Sequence, residues 1–212
     1  MFGAILSSSS PAVAARCAWA RARAGAACTQ NVTDPTLGDA LLDRLAAGDT
    51  AGQAVEIVAA AARHAEHRQL TAVGASGHGA TYSGSQTLGC HAEASGPGWA
   101  AAGNLLAEAG VPEAMGAAFV SDPGAPLGSR LVAALRAARE AGGEAGPVHS
   151  AGMLVVHRVA WPVTDLRIDW TEADPVEELA ALWGLWAPMA EDYVMRALEP
   201  GAAPSYGVPG DE

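Results

Sequence analysis

The stretch Met1-Phe-Gly-Ala-Ile-Leu-Ser-Ser-Ser-Ser-Pro11 opens the chain with a short apolar run, Gly3 to Ser9, that meets a serine cluster and a proline. Such a run reads as a buried strand ending in a loop. Ala24 to Gln30 reads as a second strand. A helix introduced by Thr36-Leu-Gly-Asp39 carries Leu41, Leu42 and Leu45 on one face and stops at Gly48. The next starts at Thr50 with Gln53 three residues on, a capping box that satisfies free backbone donors, and runs to His64.

Further along, Gln69 to Gly74 and Ala80 to Ser83 flank Ala75-Ser-Gly-His-Gly79, the signature of a hairpin whose turn uses glycine at positive φ. A strand passes through Trp99 to Gly103. Helices follow over Pro112 to Phe119 and Pro126 to Ala141, the latter closed by Gly142-Gly143. A second hairpin joins His149–Val159 to Val163–Asp169. Asp174-Pro175 combines a cap with proline at the first helical position and opens a last helix to Leu198. Helix pairs alternating with hairpins predict an α+β fold, a sandwich of antiparallel sheets in place of a doubly wound one. One domain is expected over residues 1–199, with a Gly/Pro-rich tail over 200–212 in which Tyr206 is the residue able to anchor it.

With 212 residues the chain is long enough for one core. The apolar content, 50%, includes so much Ala and Gly that the core must be closely approached backbone with few large side chains. A net charge of −11 argues against a phosphate-backbone ligand, so nucleic acid is excluded as a partner. All 12 basic residues are arginine, which removes Schiff-base, pyridoxal-phosphate and phosphate-loop lysine chemistry. No cofactor is implied. Cys17, Cys28 and Cys90 have neither disulfide-framework nor zinc-ligand spacing, and a reduced, cytoplasmic setting is the simplest reading. No run reaches the ~18 apolar residues of a membrane helix.

Several blocks of the chain resemble, in order, a known family. They are Met1 to Pro11, Arg16-Cys-Ala-Trp19-Ala-Arg21, Thr29-Gln30-Asn31-Val-Thr-Asp-Pro35, Arg68-Gln69-Leu70, Gly103-Asn104-Leu105-Leu106, Glu113-Ala114-Met115, Ala141-Gly142-Gly143-Glu144, Ser150-Ala151 and Asp165-Leu166-Arg167-Ile168-Asp169. Together they resemble the domain of unknown function 1028 (DUF1028), from a point just after that family's first strand. The resemblance implies membership of the N-terminal-nucleophile (Ntn) hydrolase superfamily and its four-layer αββα fold. It also implies hydrolysis of an amide in a small molecule or peptide derivative. In that chemistry a terminal Ser, Thr or Cys attacks while its own α-amine, pKa near ~8, takes the proton. Met1-Phe2 supplies no such residue. Either a preceding strand carries the nucleophile, or the chain is a noncatalytic binding or structural member, or cleavage at Gly89-Cys90 exposes a thiol.

Candidate site residues are polar groups set among small apolar ones. Asn104 after Gly103 is an oxyanion-type donor or a turn asparagine. Ser9, within Ser7–Ser10, lines a cleft or caps a loop. His91 beside Cys90 is a general base or a packing residue. Arg16 matches a family arginine and could hold a substrate carboxylate. Thr29, Gln30 and Asn31 end a strand, where Gln30 or Asn31 binds an amide or carboxylate or simply closes the turn. His64 and His67 lack zinc-protease spacing, and no metal site is expected. The Trp183, Trp186 and Met189 face either buries in the core or forms a homo-oligomer contact.

Overall fold

The structure is a computed structural model that describes residues 1–210. In chain order it contains β1 (Phe2–Ser8), α1 (Ala14–Cys17), β2 (Ala18–Arg21), β3 (Gly25–Asn31), α2 (Thr36–Ala46), α3 (Ala51–Ala61), β4 (Arg68–Gly74), β5 (Ala80–Ser83), β6 (Ala92–Gly96) and β7 (Trp99–Gly103). Then come α4 (Val111–Ser121), α5 (Leu127–Glu140), β8 (Ser150–Val156), β9 (Thr164–Ile168), α6 (Pro175–Trp186) and α7 (Ala190–Leu198). The fold is mixed α+β, with three antiparallel sheets ordered β1-β8-β9, β2-β3-β4-β5 and β6-β7.

β1 buries Ala4, Ile5 and Leu6 and pairs with β8 in a register that puts Ile5 opposite Met153. α5 and α6 cover this sheet, joining Leu131, Leu135, Met153, Val155, Val176 and Leu179 into one core. α2 and α3 cover the four-stranded sheet, where Leu41, Leu42, Leu45, Val55, Val58 and Leu70 form a second core. Small residues let the backbones approach. A Cβ on Gly25 would lie 2.2 Å from Val73 O, and one on Gly116 of α4 would lie 2.1 Å from the Trp99 ring.

Both hairpins, the first strand and the caps stand where the sequence places them. Thr50 and Gln53 form the reciprocal capping box, and Asp174 accepts from the N–H groups of Val176 (2.9 Å) and Glu177 (3.3 Å). Asp174 also takes Arg139 Nη1 at 2.5 Å, which ties α6 to α5. Asp174→Ala is therefore expected to cost about 1–2 kcal/mol in urea denaturation, through the lost cap and the loosened pair.

The expected single helix from 174 to 198 is two. Pro188 has no N–H and its ring clashes with the preceding turn, so α6 ends at Trp186 and α7 starts afresh at Ala190. α3 ends at Ala61 rather than His64, which sits in the left-handed region at φ 57°. Trp183 and Trp186 pack on the core and donate to Ser129 Oγ (3.1 Å) and Thr164 Oγ1 (3.1 Å), whereas Met189 is exposed. The expected tail includes 211–212, which lie outside the described residues; its part up to Tyr206 folds back on α7, with the Arg196 guanidinium 4.0 Å from the Tyr206 ring and 5.0 Å from the Tyr193 ring.

Candidate active site

Four segments converge at one end of β1: the serine run that ends it, the end of β3, the loop after β7, and the Gly143-Glu144 turn after α5. They enclose a polar cleft of about 260 Å³ lined by Ser7–Ser10, Arg16, Gln30, Asn31, Asn104 and Glu144. The structure thus gathers most of the polar residues singled out in the sequence, although they lie as far apart in the chain as Ser7 and Asn104.

The cleft floor is an amide network centred on Gln69, a residue with no accessible surface. β3 and β4 pair with Gln30 directly opposite Gln69. Gln69 Oε1 accepts from Gln30 Nε2 (2.9 Å) and Asn104 Nδ2 (3.1 Å), while Gln69 Nε2 donates to Ser83 Oγ (2.9 Å) and Gly103 O (3.1 Å). Gln30 Nε2 also donates to Ala102 O at 2.8 Å. Every polar atom of the Gln69 side chain is thus satisfied, as burial requires. Gly103 brings Asn104 close, since a Cβ there would meet Leu106 Cδ2 at 2.6 Å.

The sequence analysis names Gln69 only as a strand start and within the Arg68-Gln69-Leu70 block and not as a site residue, although a glutamine amid the buried Leu70 and Ala72 of β4 is the available signal. Glu144 was also missed. Its carboxylate accepts both the Ser9 N–H (3.1 Å) and the Ser9 hydroxyl, and its backbone bridges to Leu106. Ser9 lines the cleft but is held by Glu144. Arg16 lines it too, with Nη1 donating to Pro11 O (2.6 Å) and Ala12 O (3.0 Å).

Thr29 and His91 stand apart from the cleft, whereas Asn31 lines it with its side chain already engaged. Thr29 is buried off the cleft, its hydroxyl accepting from Trp19 Nε1 (3.3 Å) and donating to Arg16 O (3.3 Å). Asn31, at φ 68°, donates to His67 O (2.6 Å) and accepts from Leu88 N (3.2 Å), which is the turn-closing role. His91 is exposed, its Nδ1 3.3 Å from Gly89 O, and is not among the residues lining the cleft. The Asp165–Arg167 pair is a surface ion pair at 2.8 Å. His64 and His67 flank Glu66 on the surface, and no cluster suited to a metal occurs among the described residues.

The three thiols are free. Burial pushes Cys17 up and Cys28 up to about 12, whereas Cys90 is exposed. At neutral pH one thiol per native chain, Cys90, is expected to react quickly with a disulfide reagent, and all three after denaturation. The folded chain keeps the Cys28 proton where the unfolded chain, with a thiol near ~8.5, has lost it. Stability is accordingly expected to fall as pH rises from about 9 towards 12, with Cys28→Ala removing that part of the slope in denaturation curves.

The cleft continues into an apolar slot of about 120 Å³ along β1. It is lined by Met1 and Phe2–Ile5 of β1, by Gly98 and Trp99–Ala101 of β7, by Ala26–Cys28 and Thr71–Val73, and by residues of α4 and α5. In the cleft the lining from the first two stretches advances to Ile5–Ser10 and Ala102–Leu106. β1 and β7 therefore run in the same direction along the slot and cleft, and each is an edge strand of its sheet.

Among the described residues no helix is long and apolar enough to cross a membrane. The model of the family of unknown function DUF1028 matches residues 1–179. The chain belongs to the DUF1028 family. A crystal structure of another DUF1028 protein, SPO2555 from Silicibacter pomeroyi, is similar to it with a TM-score of 0.80 and 28% identity. The likeness covers 90% of this chain and 87% of that one. No curated protein matches this DUF1028 chain.

Proposed function

We propose that the protein is an Ntn-type hydrolase of αββα layering, acting on an amide of a small molecule or peptide derivative. The layering reading rests on α2 and α3 packing on β2–β5, on α5 and α6 packing on β1-β8-β9, and on β1 and β2 in contact between the two sheets. β6 and β7 lie against β4 and β5, with α4 over them.

The observation that carries the hydrolase reading is the slot. A strand joined to β1 by a hairpin runs antiparallel to it, and because β1 and β7 point the same way it pairs antiparallel with both. Its start then lies at the polar end, beside Ser7–Ser9 and Asn104. A Ser, Thr or Cys there attacks the substrate carbonyl carbon and its α-amine takes the proton. The oxyanion accepts from Asn104 Nδ2–H, and as the C–N bond breaks the proton passes to the leaving amine. Water then hydrolyses the acyl-enzyme.

A second reading, noncatalytic ligand binding, is favoured by one feature. No serine, threonine or cysteine in the cleft has a histidine beside it among the lining residues. The test is release of amine from a panel of N-acyl p-nitroanilides and amino-acid amides by protein isolated from its native host. The hydrolase reading expects turnover that alanine at the first residue abolishes. No turnover at all would support the binding role, and turnover indifferent to that change would remove the first residue from the mechanism.

A further inference from the structure

We infer that the cleft recognises a carboxamide and discriminates against the corresponding carboxylate, through a donor and acceptor polarity set by Gln69. The inference rests on the proposed amide-directed site and names the group that site reads. A side-chain amide can in principle be turned either way, and only its partners decide which end is the nitrogen. Here the decision comes from a group without a proton. The Gly103 carbonyl can only accept, so the nitrogen of Gln69 faces it at 3.1 Å and Oε1 points the other way.

Two consequences reach the cleft. Gln30 and Asn104 must both present nitrogen to Gln69 Oε1, at 2.9 Å and 3.1 Å, and Gln30 is held a second time by Ala102 O at 2.8 Å. Gln30 has then committed its amide hydrogens, and what it offers a ligand is Oε1, an acceptor. Asn104 keeps one N–H, a donor, and Oδ1. Neither Gln30 Oε1 nor Asn104 Oδ1 has a partner among the described residues, and neither is a buried orphan, so both are open to the cleft that their residues line.

An acceptor beside a donor matches a carboxamide, whose N–H bonds to Gln30 Oε1 and whose C=O accepts from Asn104 Nδ2. A carboxylate has no proton for Gln30 and sets one oxygen against another. Arg16, on the opposite polarity, would favour the carboxylate, so the two readings predict different ligands.

The experiment is a titration of the full chain with propionamide and with propionate at matched ionic strength, following the side-chain amide signals of Gln30, Gln69 and Asn104 by ¹H–¹⁵N NMR. The signals are assigned from the Gln30→Met and Asn104→Asp variants. Propionamide is expected to shift the Asn104 and Gln30 signals and to bind at least ~10-fold more tightly than propionate, the worth of one hydrogen bond near 1.4 kcal/mol. Gln30→Met, which keeps the volume and removes the acceptor, is expected to erase the preference.

Equal or tighter binding of propionate would overturn the inference and return the site to Arg16. Absence of any shift from propionamide, or a preference that survives in folded Gln30→Met, would overturn it as well. Propionamide binding in a protein that hydrolyses no amide would leave this inference standing and count against the hydrolase alone.

Discussion

Gln69→Leu is expected to destabilise the protein by about 3 kcal/mol, a large effect for a residue of nearly unchanged volume. The side chain has no accessible surface and makes four hydrogen bonds that join β3, β4, β5 and the segment after β7. Leucine removes all four and leaves Gly103 O and the Gln30 and Asn104 amides to find other partners near a buried apolar group. Each orphaned group costs roughly 1–3 kcal/mol when buried, and those near the cleft recover part of that through water. Urea denaturation would show the loss as a lower midpoint with unchanged slope. A change below about 0.5 kcal/mol would mean that the network contributes no net stability.

Asn104→Ala is the second large effect and, under the proposed hydrolase mechanism, falls on catalysis. Asn104 donates one bond to Gln69, whose oxygen keeps Gln30, so the fold should lose only about 1 kcal/mol. Removing an oxyanion donor costs about 10²–10³ in kcat. In protein isolated from its native host and turning over an amide, Asn104→Ala is expected to lower kcat by that factor and to raise KM by a smaller one, through the lost hydrogen bond to the bound carboxamide. An unchanged kcat would remove Asn104 from the mechanism. A collapse of the folded state would assign it to structure instead.

The elements that were legible in the sequence are those whose signal is local. The Gly3 to Ser9 run, the hairpin turned at Ala75–Gly79, the hairpin turned near Trp161-Pro162, the Thr50 box and the Asp174-Pro175 start each carry their reason within a few residues. β2 and β6 were not legible, because Ala18-Trp-Ala-Arg21 is four residues long with no contrast in burial between its faces, and Ala92-Glu-Ala-Ser-Gly96 contains no β-branched or aromatic residue. Pro188 was overlooked inside a strongly apolar stretch, although its missing N–H was reason enough to divide the last helix. At the site, Asn104, Ser9, Arg16 and Gln30 were found as polar residues among small ones. Their roles depend on partners up to 135 positions away, as Ser9 depends on Glu144, and such pairings arise only when β1 and the later turns meet in space. Thr29 and His91 fell away for the same reason: one turned into the core and the other out to solvent.

The account centres on a nucleophile delivered along the slot between β1 and β7 to the end where Asn104 stands. Intact mass with N-terminal sequencing of the protein from its native host tests this most directly. The account predicts a mature chain whose first residue is Ser, Thr or Cys, opening a strand that leads by a hairpin into the sequence numbered from Met1. A mature terminus at Met1 would contradict it and leave the cleft as a binding site.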